Sequence, residues 1–190
     1  MAAMRRRRHL LAAPIAALVL TGCVPELRGQ KHDPDRGPSA PRGPALLRQA
    51  MLDAHARERA GVGLPPLAWS EGLAAEAKAY ARSMAVTRRV AHSEQPAGRG
   101  RQGENLWTGV RGDYTYEEMV AHWAAERRYF VDAPSPDFSR TGRWEDAGHY
   151  SQIVWRATTR VGCALASNRT EDYLVCRYWP PGNGWHERPY

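Results

Sequence analysis

The stretch "GRGRQGENLW", Gly98 to Trp107, admits two readings, and they lead to different folds. Gly98, Gly100 and Gly103 spell G-x-G-x-x-G, the phosphate-cradling turn of a doubly wound α/β sheet. That turn needs a strand before the glycines and a helix opening within them. Upstream lies "AHSEQPA", polar and interrupted by Pro96, and downstream "ENLWTGVRGD" has no helical period. No strand–turn–helix unit surrounds the glycines, so they are read as turn formers and nucleotide binding is excluded. What remains to be explained is the "GENL" that follows, Gly103 to Leu106.

Working outward, the chain begins with material that does not belong to a fold. Arg5 to Arg8 form a basic start, and "LLAAPIAALVL" follows as an apolar stretch too short to cross a bilayer. It ends in "LTGC", Leu20 to Cys23, which resembles a bacterial lipobox. The resemblance implies removal of residues 1–22 and a lipid on Cys23; ordinary cleavage with an incidental Cys is the other reading. Residues 24–44 hold five Pro, three Gly and almost no apolar bulk. They read, with Cys23, as a tether over 23–44 that is unable to bury a core. One domain over 45–190 is left, with no internal repeat. The expected location is extracytoplasmic and membrane-anchored through the lipid, or secreted and soluble if the lipobox is fortuitous.

Charge narrows the partners. The net charge is +7, and removal of the four signal arginines takes it to +3. The 25 Arg are scattered and Lys occurs only at Lys31 and Lys78, so no basic stripe with interleaved aromatics exists. Nucleic acid is not an expected partner. With Cys23 assigned to lipid, Cys163 and Cys176 remain. They sit in "RVGCALA" and "DYLVCRY", two strand-like runs flanking the turn-like "ASNRTED", and an exported chain is free to join them. A cross-hairpin disulfide or two buried thiols both fit that spacing.

Within the domain, Leu47, Met51 and Ala54 mark a helix that stops at Gly61, and Ser70 caps a second over "EGLAAEAKAYARSMA". Residues 88–114 read as irregular. Thr115 and Glu118 form a capping box that opens a third helix, "YEEMVAHWAAERRYF". A Pro/Gly loop covers 131–148, and the two strands follow. The expected class is α+β, a sandwich of helices and sheet. No nucleophile elbow, P-loop or H-E-x-x-H occurs. His122 and Glu126, i and i+4 on the third helix, form a conceivable local ligand pair or simply a polar helix face.

"GHYSQIVWRATTRVGCA", Gly148 to Ala164, resembles the main signature of the CAP superfamily: cysteine-rich secretory proteins, antigen 5 and plant pathogenesis-related class 1 proteins. "YLVCRYWPPGNGW" resembles its second signature, "GENL" a third, and "HWAAERRYF" carries the family's Trp and Glu at Trp123 and Glu126. "HARERAGVGLPPLAWSEGLAAEAKAYA" follows the family's first two helices, so the resemblance covers residues 55–190. It implies a three-layer α-β-α sandwich with a central cleft of two His and two Glu. By motif these are His92, Glu104, Glu126 and His149, a set able to hold zinc or another divalent metal, or to form a hydrogen-bonded network.

The same resemblance assigns structural roles to Asn105, Gln152 and Trp155. It also offers Trp107, Tyr114 and Tyr116 either as the edge of a lipid or sterol groove or as packing against the third helix. The implied function is a binding module for a lipid, sterol-like or other small hydrophobic ligand. A metal-dependent hydrolase or peptidase and a cell-wall interaction protein without ligand are the alternatives. The chain departs from the pattern at Ala56, where the family has Asn. It carries at most one disulfide where plant members carry three, and Trp179 replaces a polar residue before the tail.

Overall fold

The computed structural model describes residues 39–96, 98 and 100–190. The segments read as signal and tether up to Pro38, Cys23 among them, lie outside the described residues. No helix among the described residues is long and apolar enough to cross a membrane.

Helix α1 spans Pro44–Ala60 and begins with proline, whose missing N–H is no loss at a helix start. A two-residue strand, β1 (Ala68–Trp69), leads into α2 (Glu71–Thr87). Ser70 caps α2 as expected, its hydroxyl accepting from Leu73 N. Strand β2 (Gly103–Val110) leads to α3 (Tyr116–Ala124), which opens with the capping box of Thr115 and Glu118. Helix α4 (Gly148–Ile153) precedes the hairpin of β3 (Arg160–Ser167) and β4 (Glu171–Trp179). The sheet order is β1-β3-β4-β2, with β1 parallel to β3 and the other pairs antiparallel.

Helices α1, α3 and α4 cover one face of the sheet and α2 the other, which makes the three-layer α-β-α sandwich. The larger core holds Met51, Trp107, Trp123 and Tyr178; the smaller packs Ala77, Ala81 and Met84 of α2 on Leu106, Ala164 and Val175. Alanines on α2 let it lie close to the sheet. At Gly162 the approach is closest: a Cβ there would stand 2.5 Å from the Ser70 carbonyl oxygen and 2.7 Å from Leu73 Cβ. Cys163 and Cys176 face each other across β3 and β4 and are joined by a disulfide, S–S 2.00 Å.

Three local expectations change. Residues 103–110, read as irregular, form the edge strand β2. Both of its faces are covered, so its buried positions follow no alternation. The third helix stops at Ala124, and residues 125–128 tighten into a 3-10 turn. The end of the tether is also docked. Ala40 N donates to the Gly112 carbonyl (2.8 Å), and Arg42 Nη2 donates to Asp172 Oδ2 (2.8 Å) and to the Tyr114 carbonyl (2.9 Å). Asp172 is buried, so this ion pair fixes where the chain enters the domain.

Candidate functional site

Two clusters and one open slot hold the chemistry. The first cluster sits on the α2 face of β2. Period-two alternation sends Glu104 to the side where Leu106 meets α2, and Asn105 and Trp107 to the other side. Glu104 Oε1 accepts from Ser93 N (3.0 Å) and pairs with His92 Nδ1 (2.7 Å). Its Oε2 stands 3.0 Å from Arg177 Nη2, an ion pair. Burial pushes the Glu104 carboxyl up, but His92, Arg177 and the Ser93 N–H outweigh it and hold it below the ordinary carboxylate range. Helix α2 places His92 through Tyr80, whose hydroxyl donates to the Ala91 carbonyl (2.5 Å) while its ring lies under the Arg177 guanidinium.

The second cluster sits on the other face of β2. Glu126 Oε1 pairs with His149 Nδ1 (2.6 Å), and its Oε2 accepts from the N–H groups of His149 (2.9 Å) and Tyr150 (3.2 Å). The carboxylate thereby satisfies N–H groups in the first turn of α4, a turn that has no side-chain cap of its own. The His149 ring stacks on Trp123, centroids 6.0 Å apart, and Trp123 Nε1 donates to the Leu106 carbonyl (3.0 Å). Asn105 Nδ2 donates to the His149 carbonyl (3.1 Å) and to the Tyr178 hydroxyl (3.2 Å), which ties α4 to β2.

The four residues joined by the sequence motifs are therefore two His–Glu pairs. Among the described residues no hydrogen bond or ion pair joins one pair to the other. No group of three or more His, Cys, Asp and Glu among them stands where it could hold a metal ion. Glu126 accepts hydrogen bonds through both oxygens, whereas Glu104 accepts through Oε1 and its buried Oε2, without a hydrogen-bond partner, faces the Arg177 charge 3.0 Å away. The residues do not fit a four-ligand centre, and they act as orienting groups for the two imidazoles. His122 and Glu126 do not pair either: His122 Nδ1 accepts from Trp107 Nε1 (2.8 Å), whereas Glu126 turns to His149.

The aromatic run divides between its two readings. Trp107 is fully buried, with its ring stacked on His122 and Tyr114 edge-on at 5.2 Å, so Trp107 and Tyr114 pack against α3. Tyr116 differs. Its hydroxyl accepts from Gly43 N (3.2 Å), its ring lies 5.2 Å from the Arg42 guanidinium, and it borders the slot.

The slot is the feature that sequence reasoning missed. It is an open groove of about 1110 Å³ between the first turns of α1 and α2, with β3 as its floor. Leu47 and Arg48 form one wall, Ala74, Ala75 and Lys78 the other, and Cys163 and Leu165 lie below. Its only sequence signal is the brevity of "LPPLAW", in which Pro65 and Pro66 leave two residues to pair with β3.

Arg59 and His55 complete the framework. Arg59 is buried and donates to the carbonyls of Pro65 (2.7 Å), Ile153 (3.0 Å), Trp155 (2.9 Å) and Thr158 (3.2 Å), fastening α1 to the loop after α4. Burial pushes its guanidinium down to about 10, so it stays charged at neutral pH. The turn-forming role of Gly98 and Gly100 is visible in their φ of 75° and 109°.

The CAP family model, described as the cysteine-rich secretory protein family, matches residues 52–178. The chain is 38% identical over 143 residues to a pathogenesis-related protein of PR-1 type from Sambucus nigra, across 75% of this chain and 81% of that protein. It is 38% identical over the same length to pathogenesis-related protein 1A of Nicotiana tabacum, across 75% and 80%. Among solved structures, NaASP2 with Zn2+ superposes with a TM-score of 0.64 at 22% identity, covering 80% of this chain and 90% of that one. That likeness shows the fold.

Proposed function

The chain belongs to the CAP family, the cysteine-rich secretory proteins, and from that premise we propose that it works as an exported recognition module. In this reading it is tethered to a membrane through lipid on Cys23 and holds an elongated ligand in the slot along β3. The slot carries the proposal: at about 1110 Å³ it is an open groove of the size of ligand clefts, floored by strand β3 at Cys163 and Leu165 under a rim of charged side chains. A lipid, sterol-like or other hydrophobic ligand, implied by the family resemblance, would lie here rather than on the aromatic run. Recognition is favoured over hydrolysis because Glu104 and Glu126 are both spent on hydrogen bonds and ion pairs, which leaves neither free to act as a general base. The pairs instead hold the loop after α2 and the start of α4 against the sheet.

Carbene footprinting of the protein in isolated envelopes, against the purified protein, tests the slot. Protection is expected at Ala75, Lys78 and Leu165 and not at the exposed Trp185 and Val86. Equal labelling in the slot under both conditions refutes the reading.

A further inference from the structure

The floor of the slot is a sheet edge with unused hydrogen-bonding groups. Strand β1 pairs only with Arg160 and Val161, where Ser70 N donates to the Val161 carbonyl (2.9 Å). Beyond that point β3 has β4 on one side and, among the described residues, no strand on the other. Cys163 and Cys176 face each other at a Cα–Cα distance of 4.1 Å, the spacing of a non-hydrogen-bonded antiparallel pair. In such a pair the backbone N–H and C=O point away from the partner strand. Alternation extends this to Leu165 and Ser167. The N–H and C=O groups of Cys163, Leu165 and Ser167 therefore face the slot, and no backbone hydrogen bond reaches them among the described residues.

This decides between ligand classes. An acyl chain laid along the floor would strip water from the groups of Leu165 and Ser167, which are open to solvent where Cys163 is buried, and give nothing back, at roughly 1–3 kcal/mol for each group left unpaired. A second copy of the chain is excluded by shape: each edge is recessed between α1 and α2, and two recessed edges cannot meet. An extended peptide matches both the groups and the space, since β1 already runs between the same helices as a single strand. Charge sets its composition. On the rim Arg42 is bonded to Asp172 and Arg48 to Glu71, whereas Lys78 and Arg111 have no carboxylate partner among the described residues. Facing Ala74, Ala75 and Leu47, inward side chains must be small or apolar.

We propose that the slot binds an extended acidic peptide segment of a partner protein, added as a strand to the free edge of β3 between α1 and α2. The proposal rests on the reading of the slot as the ligand site and names its occupant.

The test uses the full chain carrying Cys23→Ser and fluorescent nine-residue peptides that alternate Glu or Asp with Val, Thr or Ala. Saturable binding is expected, at least tenfold tighter than to the same peptides with Lys or Arg in place of the acids, and weakened by salt. Ala75→Trp fills the slot from an exposed position on α2, and it should weaken binding at least tenfold while the circular dichroism stays unchanged. N-methylation of the peptide on alternate residues should abolish binding in one register and spare it in the other. Bound peptide should slow exchange of the Cys163 and Leu165 amides. Equal binding of acidic and basic peptides, or of both N-methylated registers, overturns the proposal. Slot-dependent binding of cis-parinaric acid without peptide binding overturns the peptide occupant but keeps the slot, as does envelope protection without peptide binding. No binding of either probe together with no envelope protection removes both.

Discussion

Acid should destabilise this domain through one histidine outside the His–Glu pairs. His55 has no exposed surface; its Nδ1–H donates to the Met51 carbonyl (2.7 Å), and Nε2 accepts from the Tyr178 hydroxyl (2.8 Å). That hydroxyl already accepts from Asn105. A proton on Nε2 would turn the acceptor into a second donor and leave the tyrosine hydrogen without a partner. Burial is the main cause that holds the imidazole down at about 4; the bond to Met51 opposes it, and the Arg59 charge one turn away adds to it. The unfolded chain titrates near 6.5, so it binds more protons than the folded chain between these values, and stability rises with pH across that window. The stabilisation is complete above pH 6.5. Each tenfold difference in proton affinity between the two states is worth roughly 1.4 kcal/mol, so a loss on the order of 3 kcal/mol accumulates as the pH falls from 6.5 through 4.

Urea unfolding followed by tryptophan fluorescence between pH 7.5 and 4 measures this, in the wild type and in His55→Gln. The variant should lose about 1 kcal/mol at pH 7, for an altered buried hydrogen bond, and should show a flatter pH profile. Carboxylates that titrate in the same window cancel in the comparison. Parallel profiles for the two proteins would refute the reasoning.

Other substitutions separate the framework from the site. Arg59→Met should cost about 3 kcal/mol or more in urea unfolding, because three buried carbonyls and the partly buried one of Pro65 lose their donor, and Arg59→Lys should recover part of that. A cost under about 1 kcal/mol would show that water replaces the guanidinium. Reduction of Cys163–Cys176, or its replacement by two alanines, should cost about 3 kcal/mol for a loop of this length, read as a fall in thermal midpoint. His92→Ala and His149→Ala should have additive effects on stability, since the pairs share no hydrogen-bond partner. A coupling above about 1 kcal/mol, or zinc binding in calorimetry that needs both histidines, would show that they act as one unit.

The amino-acid sequence by itself determined α1, α2, the start of α3, the caps of α2 and α3 and the class of fold, because each rests on neighbours in the chain, whereas α4 was not read from it. Ser70 caps the turn that follows it, Thr115 and Glu118 close a box three residues long, and the apolar face of α1 repeats every turn. Cys163 and Cys176 lie in strands joined by a tight turn, so their pairing was also within reach. The tertiary structure decided the rest. Strand β2 was illegible because its ladder to β4 and the helices on both of its faces lie far away in sequence. The pattern of polar and apolar residues that would announce a half-buried strand is therefore missing. The same strand separates Glu104 from the Glu126–His149 pair, since adjacent positions on a pleat face opposite layers, and no spacing between motifs reveals which face each takes. The slot exists only because β1 stops after two residues while β3 runs on between α1 and α2. That is a property of three segments meeting in space, and none of them carries it alone.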